Sequence, residues 1–196
     1  PALSLLSAQA VGECSAAAID AAVGIEILQT GTLVHDDVLD SAEMRRGADG
    51  LHVKWGNHAA ILMGDFLLVK AMEVLVGLGS MEVMDAATRA IRRMIEGEIL
   101  EDEKGGDGEL AIYFTMIDKK TASLYALACE VGAILGGGSK EEIKSMSSFG
   151  NDVGMAFQIT DDVLDFIGDE ETLGKPVGND IREKKLTLPI IRALKN

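Results

Sequence analysis

The sequence predicts an all-α protein: a single helical bundle, orthogonal or antiparallel, with no strand expected. Three observations point there. Hydrophobic residues make up 47% of the chain but aromatics only 4%, so Ala, Leu, Ile, Val and Met supply the apolar mass, a palette that suits helices better than strands. The three prolines are Pro1, Pro176 and Pro189, so none interrupts residues 2–175. Long apolar stretches alternate with short polar or glycine-containing links. At 196 residues the chain is long enough to bury one real core, and it is expected to form one domain over 1–196.

In chain order, residues 2–11 predict a short first helix. Ser15 can cap a long second helix ending near Leu39. Residues 45–56 contain three glycines and read as a polar connection, after which Asn57 can cap a third helix to about Leu78. Ser80 can start a fourth, ending in the acidic stretch 101–109. One helix is expected over 110–135, closed by Gly136, Gly137 and Gly138. Ser139 and Glu142 fit a capping box for a helix running to about Ile167. Residues 168–184 read as a polar loop, and a last helix starts at Leu188.

The formal net charge is −14, which disfavours nucleic acid and anionic lipid surfaces as partners. Cys14 and Cys129 lack metal-ligand spacing and read as small buried hydrophobes in a reducing compartment. No signal peptide is visible, and residues 59–78, the most apolar stretch, carry Asp65, Lys70 and Glu73. They are therefore expected to form a core helix, not a membrane span, and the protein is expected in the cytoplasm.

The pentapeptide Asp-Asp-Val-Leu-Asp occurs twice, at 36–40 and again at 161–165. Each copy ends an apolar helix and precedes a basic, glycine-containing loop. On a helix, residues four apart share a face about 5–6 Å apart, and like charges there repel. Asp36 with Asp40, and Asp161 with Asp165, thus carry a cost that helix formation does not require. Acidic residues near a helix C-terminus also oppose the macrodipole. A cation would relieve both costs, and an all-carboxylate ligand set favours a hard ion such as Mg²⁺ sharing its shell with phosphate oxygens. Arg45 and Arg46 follow the first copy; Lys175, Lys184 and Lys185 follow the second. Basic side chains beside metal-binding carboxylates suit a diphosphate. Solvated acidic helix ends are the plain alternative, which the exact repetition disfavours.

Residues 33–40 followed by Arg45-Arg46-Gly47 resemble the first aspartate-rich motif of the trans-isoprenyl diphosphate synthases, which make farnesyl, geranylgeranyl and longer polyprenyl diphosphates. Residues 154–159 with 161–165 resemble their second motif. Residues 174–180, Lys185 and 187–189 resemble the loop after it, and Gly97-Glu98 and Lys120-Thr121 also fit. The resemblance implies the isoprenoid synthase fold, a bundle around a deep central cavity, acting as a homodimer. It implies three Mg²⁺ ions, held by Asp36 and Asp40 and by Asp161 supported by Asp165, with Asp37 as a helper pointing about 100° away from Asp36. Arg45, Lys120, Lys175 and Lys185 would hold an allylic diphosphate, with Thr121 and Gln158 at its reacting end. Arg46 and Gln29 would face isopentenyl diphosphate. The activity implied is head-to-tail condensation of these two substrates with release of diphosphate. The alternatives are a class I terpene cyclase, which usually lacks a second Asp-Asp-x-x-Asp, and a non-catalytic subunit of a heteromeric synthase, which typically loses one motif.

The chain departs from the family pattern at its ends: the basic residues expected before Pro1-Ala2-Leu3 and the C-terminal helices are absent, so terminal segments are expected to be missing. Upstream of Asp36, Gly31 and Thr32 are small and Leu28 lies two turns back. A growing product passing these positions would meet no aromatic floor, so a product of C20 or longer is expected. The acidic stretch 96–109 reads as a solvated helix end. His35 reads as structural, with orientation of the Asp36 carboxylate as the alternative. Trp55 reads as a packing anchor, and Met63, Phe66, Met155 and Phe157 as ordinary core, with lining of the cavity as the alternative.

Overall fold

The computed structural model describes residues 1–45, 47–168, 178–182 and 185–195. Within them the chain is helical apart from one minimal hairpin and the links between helices. It divides into two compact units, Pro1–Met84 with Val131–Ile143, and Asp85–Glu130 with Lys144–Asn196.

In the first unit, α1 (Ala2–Val11) leads to α2 (Ala16–Leu39). Ser15 caps α2 as its sequence predicts, its hydroxyl accepting from the Ala18 N–H at 3.2 Å. Ala18, Ala21, Ala22, Ile25 and Leu28 of α2 are buried, as are Ala60, Ala71 and Leu75 of α3 (Leu51–Gly77). Full burial of a side chain such as Leu28 or Leu75 contributes about 1.5–3 kcal/mol. By length and composition alone α2 could cross a membrane, with a mean hydropathy of 1.3; its buried face makes it a core helix here. Val131 to Leu135 belong to α6 (Ser123–Leu135), which α1 approaches so closely that a Cβ at Gly136 would lie 2.6 Å from the Ala8 carbonyl oxygen.

The connection after α2 differs from expectation. β1 (Met44–Arg45) pairs antiparallel with β2 (Ala48–Asp49), and α3 begins at Leu51 rather than at Asn57. Gly56 breaks the helix with φ 82° and ψ 159°, a conformation available to glycine. The glycine that suggested a loop instead makes a kink. Trp55, next to it, is 66% exposed among the described residues and not the buried packing anchor expected. Met63 and Phe66 are likewise exposed instead of core.

The second unit begins within α4 (Met81–Lys104) and continues through a 3₁₀ turn (Gly105–Asp107) to α5 (Leu110–Ile117). The single helix expected over 110–135 is interrupted by a π-helical turn, Asp118–Ala122, before α6. Such wide turns are costly in regular helices and cluster at functional sites; this one carries Lys120 and Thr121. The Ser139–Glu142 capping box forms at the start of α7 (Lys140–Ile167), with reciprocal bonds of 2.7 and 3.3 Å. Two short helices follow, α8 (Asn179–Arg182) and α9 (Leu188–Leu194). Tyr113 and Ile117 of α5 pack on Ile191 of α9, with Met155 and Ile159 of α7 against them. Phe157, expected in the core, is 52% exposed, its ring 5.4 Å from Tyr125. Cys129 is buried and Cys14 half-buried, and neither forms a disulfide.

Candidate active site

The first acidic motif occupies the last turn of α2. Asp36 and Asp40 are half-buried, while Asp37 is buried. The Asp40 N–H donates to the Asp36 carbonyl at 2.8 Å, ending the helix. Ser41 then takes φ 52°, a left-handed conformation that costs a non-glycine residue energy and often marks functional turns. The hairpin that follows brings Arg45 back to the motif. Its Nε and Nη2 donate to Asp37 Oδ1 at 2.8 and 2.5 Å. One oxygen of Asp37 is therefore paired with a cation of the protein itself.

His35 Nε2 lies 3.0 Å from the Ile61 carbonyl and 3.5 Å from Asp65, which ties α2 to α3 and supports its structural reading. Gly31 faces α3, where a Cβ would lie 3.2 Å from both the Gly64 oxygen and Leu67 Cβ. Its smallness thus serves helix packing, and Leu28 is fully buried. Thr32 and Gln29 are half-buried, the Thr32 hydroxyl donating to the Gln29 carbonyl at 2.8 Å. Arg46 and Lys175 lie outside the described residues.

The second motif lies near the end of α7, in the other unit. Asp161 is half-buried; Asp162 and Asp165 are buried. Asp162 accepts from the Tyr113 hydroxyl at 2.6 Å and from Gln158 Nε2 at 2.8 Å. Gln158 Oε1 in turn accepts from the Thr121 hydroxyl at 2.8 Å. This linkage needs the π turn and α7 close together: a Cβ at Gly154 would lie 2.6 Å from Ala122 Cα. The chain after the loop returns to Asp165, whose carboxylate accepts from the Asp180 N–H at 3.1 Å. Burial first, then the charges of Asp165 and Asp162, push the Asp180 carboxyl up to about 6, against the opposing pull of Lys185. Burial likewise raises the Asp162 pKa, despite its hydrogen bonds from Tyr113 and Gln158. Negative charge is thus crowded at this helix end.

Lys120 lies in the same unit. Its ammonium sits 2.7 Å from Glu98 and also contacts Glu101. Burial opposes its charge, but Glu101 and Glu98 outweigh that and raise its pKa. Glu96 pairs with Lys119 at 2.9 Å. The stretch expected to be merely solvated therefore supplies the carboxylates that hold both lysines. Glu98 and Glu101 are three apart on α4 and share a face, but their lysine comes from another element, which local spacing does not show. Tyr113, absent from either motif, is the other residue that sequence reasoning missed.

Among the described residues, no three His, Cys, Asp or Glu side chains converge as a preformed metal cage. The donors present are carboxylate oxygens in i,i+4 pairs, which fit a hard divalent ion completed by water and ligand oxygens.

The polyprenyl synthetase family model matches residues 1–196. The chain is 44% identical to a short chain isoprenyl diphosphate synthase of Methanothermobacter thermautotrophicus, covering 99% of this chain and 62% of that protein. It is 39% identical to the octaprenyl diphosphate synthase of Escherichia coli, covering 99% and 61% respectively. A crystal structure of polyprenyl synthase from Caulobacter crescentus, complexed with calcium and isoprenyl diphosphate, superposes with a TM-score of 0.95. Its identity is 37%, over 98% of this chain and 60% of that one. The chain thus spans about three-fifths of the length of these relatives. With an all-helical fold, the duplicated acidic motif and a match over every residue, the chain belongs to the polyprenyl synthetase family.

Proposed function

We propose that the protein is a trans-prenyl transferase, condensing an allylic diphosphate with isopentenyl diphosphate and releasing diphosphate. One observation carries this reading. Both acidic motifs have the same division of labour: an inner carboxylate, Asp37 or Asp162, is buried and satisfied by the protein. The leading aspartates Asp36 and Asp161, and Asp40 as well, stay half-buried near the helix ends. That arrangement suits ligands to cations shared with a substrate. Mg²⁺ is the proposed ion, three per site, and when bound it supplies charge neutralisation on the departing diphosphate. The complex of the Caulobacter crescentus relative with calcium and isoprenyl diphosphate supports this pairing of ion and ligand.

Asp36, Asp40, Asp161 and Asp165 would hold the ions, with Arg45, Lys120, Lys175 and Lys185 toward the allylic diphosphate and Gln29 and Arg46 toward isopentenyl diphosphate. Arg45 and Lys120 are already oriented by Asp37 and by Glu98 with Glu101, so they meet a phosphate as positioned cations. Thr121 and Gln158 would face the reacting carbon. No protein nucleophile is needed, because the isopentenyl double bond attacks the allylic cation and the proton then lost passes to the released diphosphate. Thr32, half-buried one turn above Asp36, keeps a product of C20 or longer as the proposed outcome; Gly31 and Leu28, sealed in packing, add nothing to it.

For assembly we propose a homodimer. The chain is also 41% identical to heptaprenyl diphosphate synthase component 2 of Geobacillus stearothermophilus, which favours a two-component assembly as the second reading. Native mass spectrometry of the complete protein separates the two.

The deciding experiment incubates the complete protein with Mg²⁺, isopentenyl diphosphate and allylic primers of several lengths, with products read by chromatography. Extended prenyl diphosphates are expected, C20 or longer. Asp36→Ala and Asp161→Ala should each abolish turnover; retained activity in either variant removes that motif from the metal site. A cyclised hydrocarbon formed without isopentenyl diphosphate would instead identify a cyclase.

A further inference from the structure

Tyr113 lies on α5, outside both acidic motifs, yet its phenol reaches into the second. Its hydroxyl donates to Asp162 Oδ2 at 2.6 Å, and Gln158 Nε2 donates to Asp162 Oδ1 at 2.8 Å. Gln158 turns its nitrogen, not its carbonyl, toward Asp162. The carbonyl Oε1 then faces Thr121, whose hydroxyl donates to it at 2.8 Å. A hydroxyl has one proton, and this one is committed. Toward any further neighbour Thr121 Oγ1 offers lone pairs alone. Tyr113 and Asp162 are 2% and 4% exposed, so water competes little for the chain's inner end. Burial, then the bond to Asp162, also raises the Tyr113 pKa, keeping the phenol proton in place.

We propose that Tyr113 is a positioning residue for prenyl transfer: through Asp162 and Gln158 it fixes Thr121 as a pure electron-pair donor toward the electron-poor allylic carbon. The proposal rests on the prenyl-transfer reading and adds to it a proton order that the acidic motifs alone do not set. A hydroxyl that could rotate its proton toward a developing cation would destabilise it; one whose proton is held by Gln158 cannot.

The test uses the complete protein with Mg²⁺ and the variants Tyr113→Phe, Gln158→Ala and their combination. Tyr113→Phe should slow single-turnover consumption of the allylic substrate about tenfold, the scale of one lost orienting hydrogen bond. Its Kd for a non-ionisable thiolo analogue of that substrate should stay within about twofold. In the Gln158→Ala background, Tyr113→Phe should cost nothing more, since the chain is already cut. Multiplying effects, or analogue affinity falling in step with rate, would reduce Tyr113 to a structural role and overturn the proposal. If Tyr113→Phe does not fold, Asp162→Asn serves: its amide can donate to Gln158, and the same rate loss is expected. A wild type without turnover would defeat the prenyl-transfer reading itself. The hydrogen-bond chain is then judged by the side-chain amide NMR signals of Gln158, which Tyr113→Phe must shift; unchanged signals would overturn it.

Discussion

Arg45 closes back on Asp37 over eight residues, with two guanidinium nitrogens on one carboxylate oxygen at 2.8 and 2.5 Å. The Asp37 side chain is 6% exposed and that of Arg45 40%. The pair is thus a buried carboxylate covered by a half-exposed cation. Removing the cation leaves a buried charge without compensation, whereas removing both groups leaves neither. Arg45→Ala should therefore cost about 1–3 kcal/mol, the penalty of an unsatisfied buried polar group. Asp37→Asn combined with Arg45→Ala should cost less than Arg45→Ala alone. Urea unfolding midpoints of the three variants check this ordering, and a double variant less stable than Arg45→Ala would refute it.

Gly154 sets the distance between α7 and the π turn. A Cβ there would stand 2.6 Å from Ala122 Cα and 3.0 Å from Ala122 Cβ. The Cα is helical backbone and the Cβ is bonded directly to it, so neither can swing aside. Gly154→Ala should destabilise by about 1–3 kcal/mol through overpacking, and it should separate Thr121 from Gln158. Gly77, at the end of α3, has nothing within 4 Å of its would-be Cβ. Gly77→Ala should be neutral or stabilising by up to about 1 kcal/mol. Thermal melts should show a lowered Tm for Gly154→Ala and an unchanged or raised Tm for Gly77→Ala.

Helix identities and caps were legible because they depend on local signals: Ser15 before α2 and Ser139 with Glu142 before α7 act through the residues beside them. The acidic motifs were legible because repetition of a costly pattern is visible without coordinates. The π turn at Asp118–Ala122 was not, since a widened turn keeps helical periodicity on either side. Nor was the fate of the inner aspartates. Asp36 and Asp37 are chemically identical in sequence, and only the return of Arg45 through a hairpin separates their roles. Lys120 between Glu98 and Glu101, and Tyr113 on Asp162, join elements far apart in the chain, so no local spacing announces them.

The proposed metal site predicts a linked binding response. Carboxylate pairs alone hold Mg²⁺ weakly, and a diphosphate alone meets crowded negative charge at the second motif. Mg²⁺ with inorganic diphosphate should therefore raise the Tm more than the sum of the shifts given by either one. Ligand at about 100 times its Kd stabilises by about 2.7 kcal/mol, which a thermal-shift assay resolves. EDTA should remove the whole combined shift, and Asp161→Ala should remove most of it. Equal shifts in wild type and Asp161→Ala would place binding elsewhere.

Lys120 provides the prediction with a pH signature. Its ammonium is shared by Glu98 and Glu101 and is 23% exposed. Burial works against the charge, yet the two carboxylates outweigh it, and the pKa stands above the ordinary lysine value. A cation whose pKa is raised on folding contributes stability that is complete below its unfolded pKa, about 10.4 for lysine. That contribution fades only as pH rises through the higher folded value. Lys120→Met leaves two facing carboxylates without their shared partner and should cost about 1–3 kcal/mol. The stability gap between wild type and Lys120→Met, measured by urea unfolding, should therefore stay constant between about pH 7 and 9 and narrow only above about pH 10. For the same reason, an alkaline fall in turnover centred below pH 9 would have to come from a group other than Lys120. A gap that closes by pH 9 would mean the ammonium is less firmly held than its two partners imply.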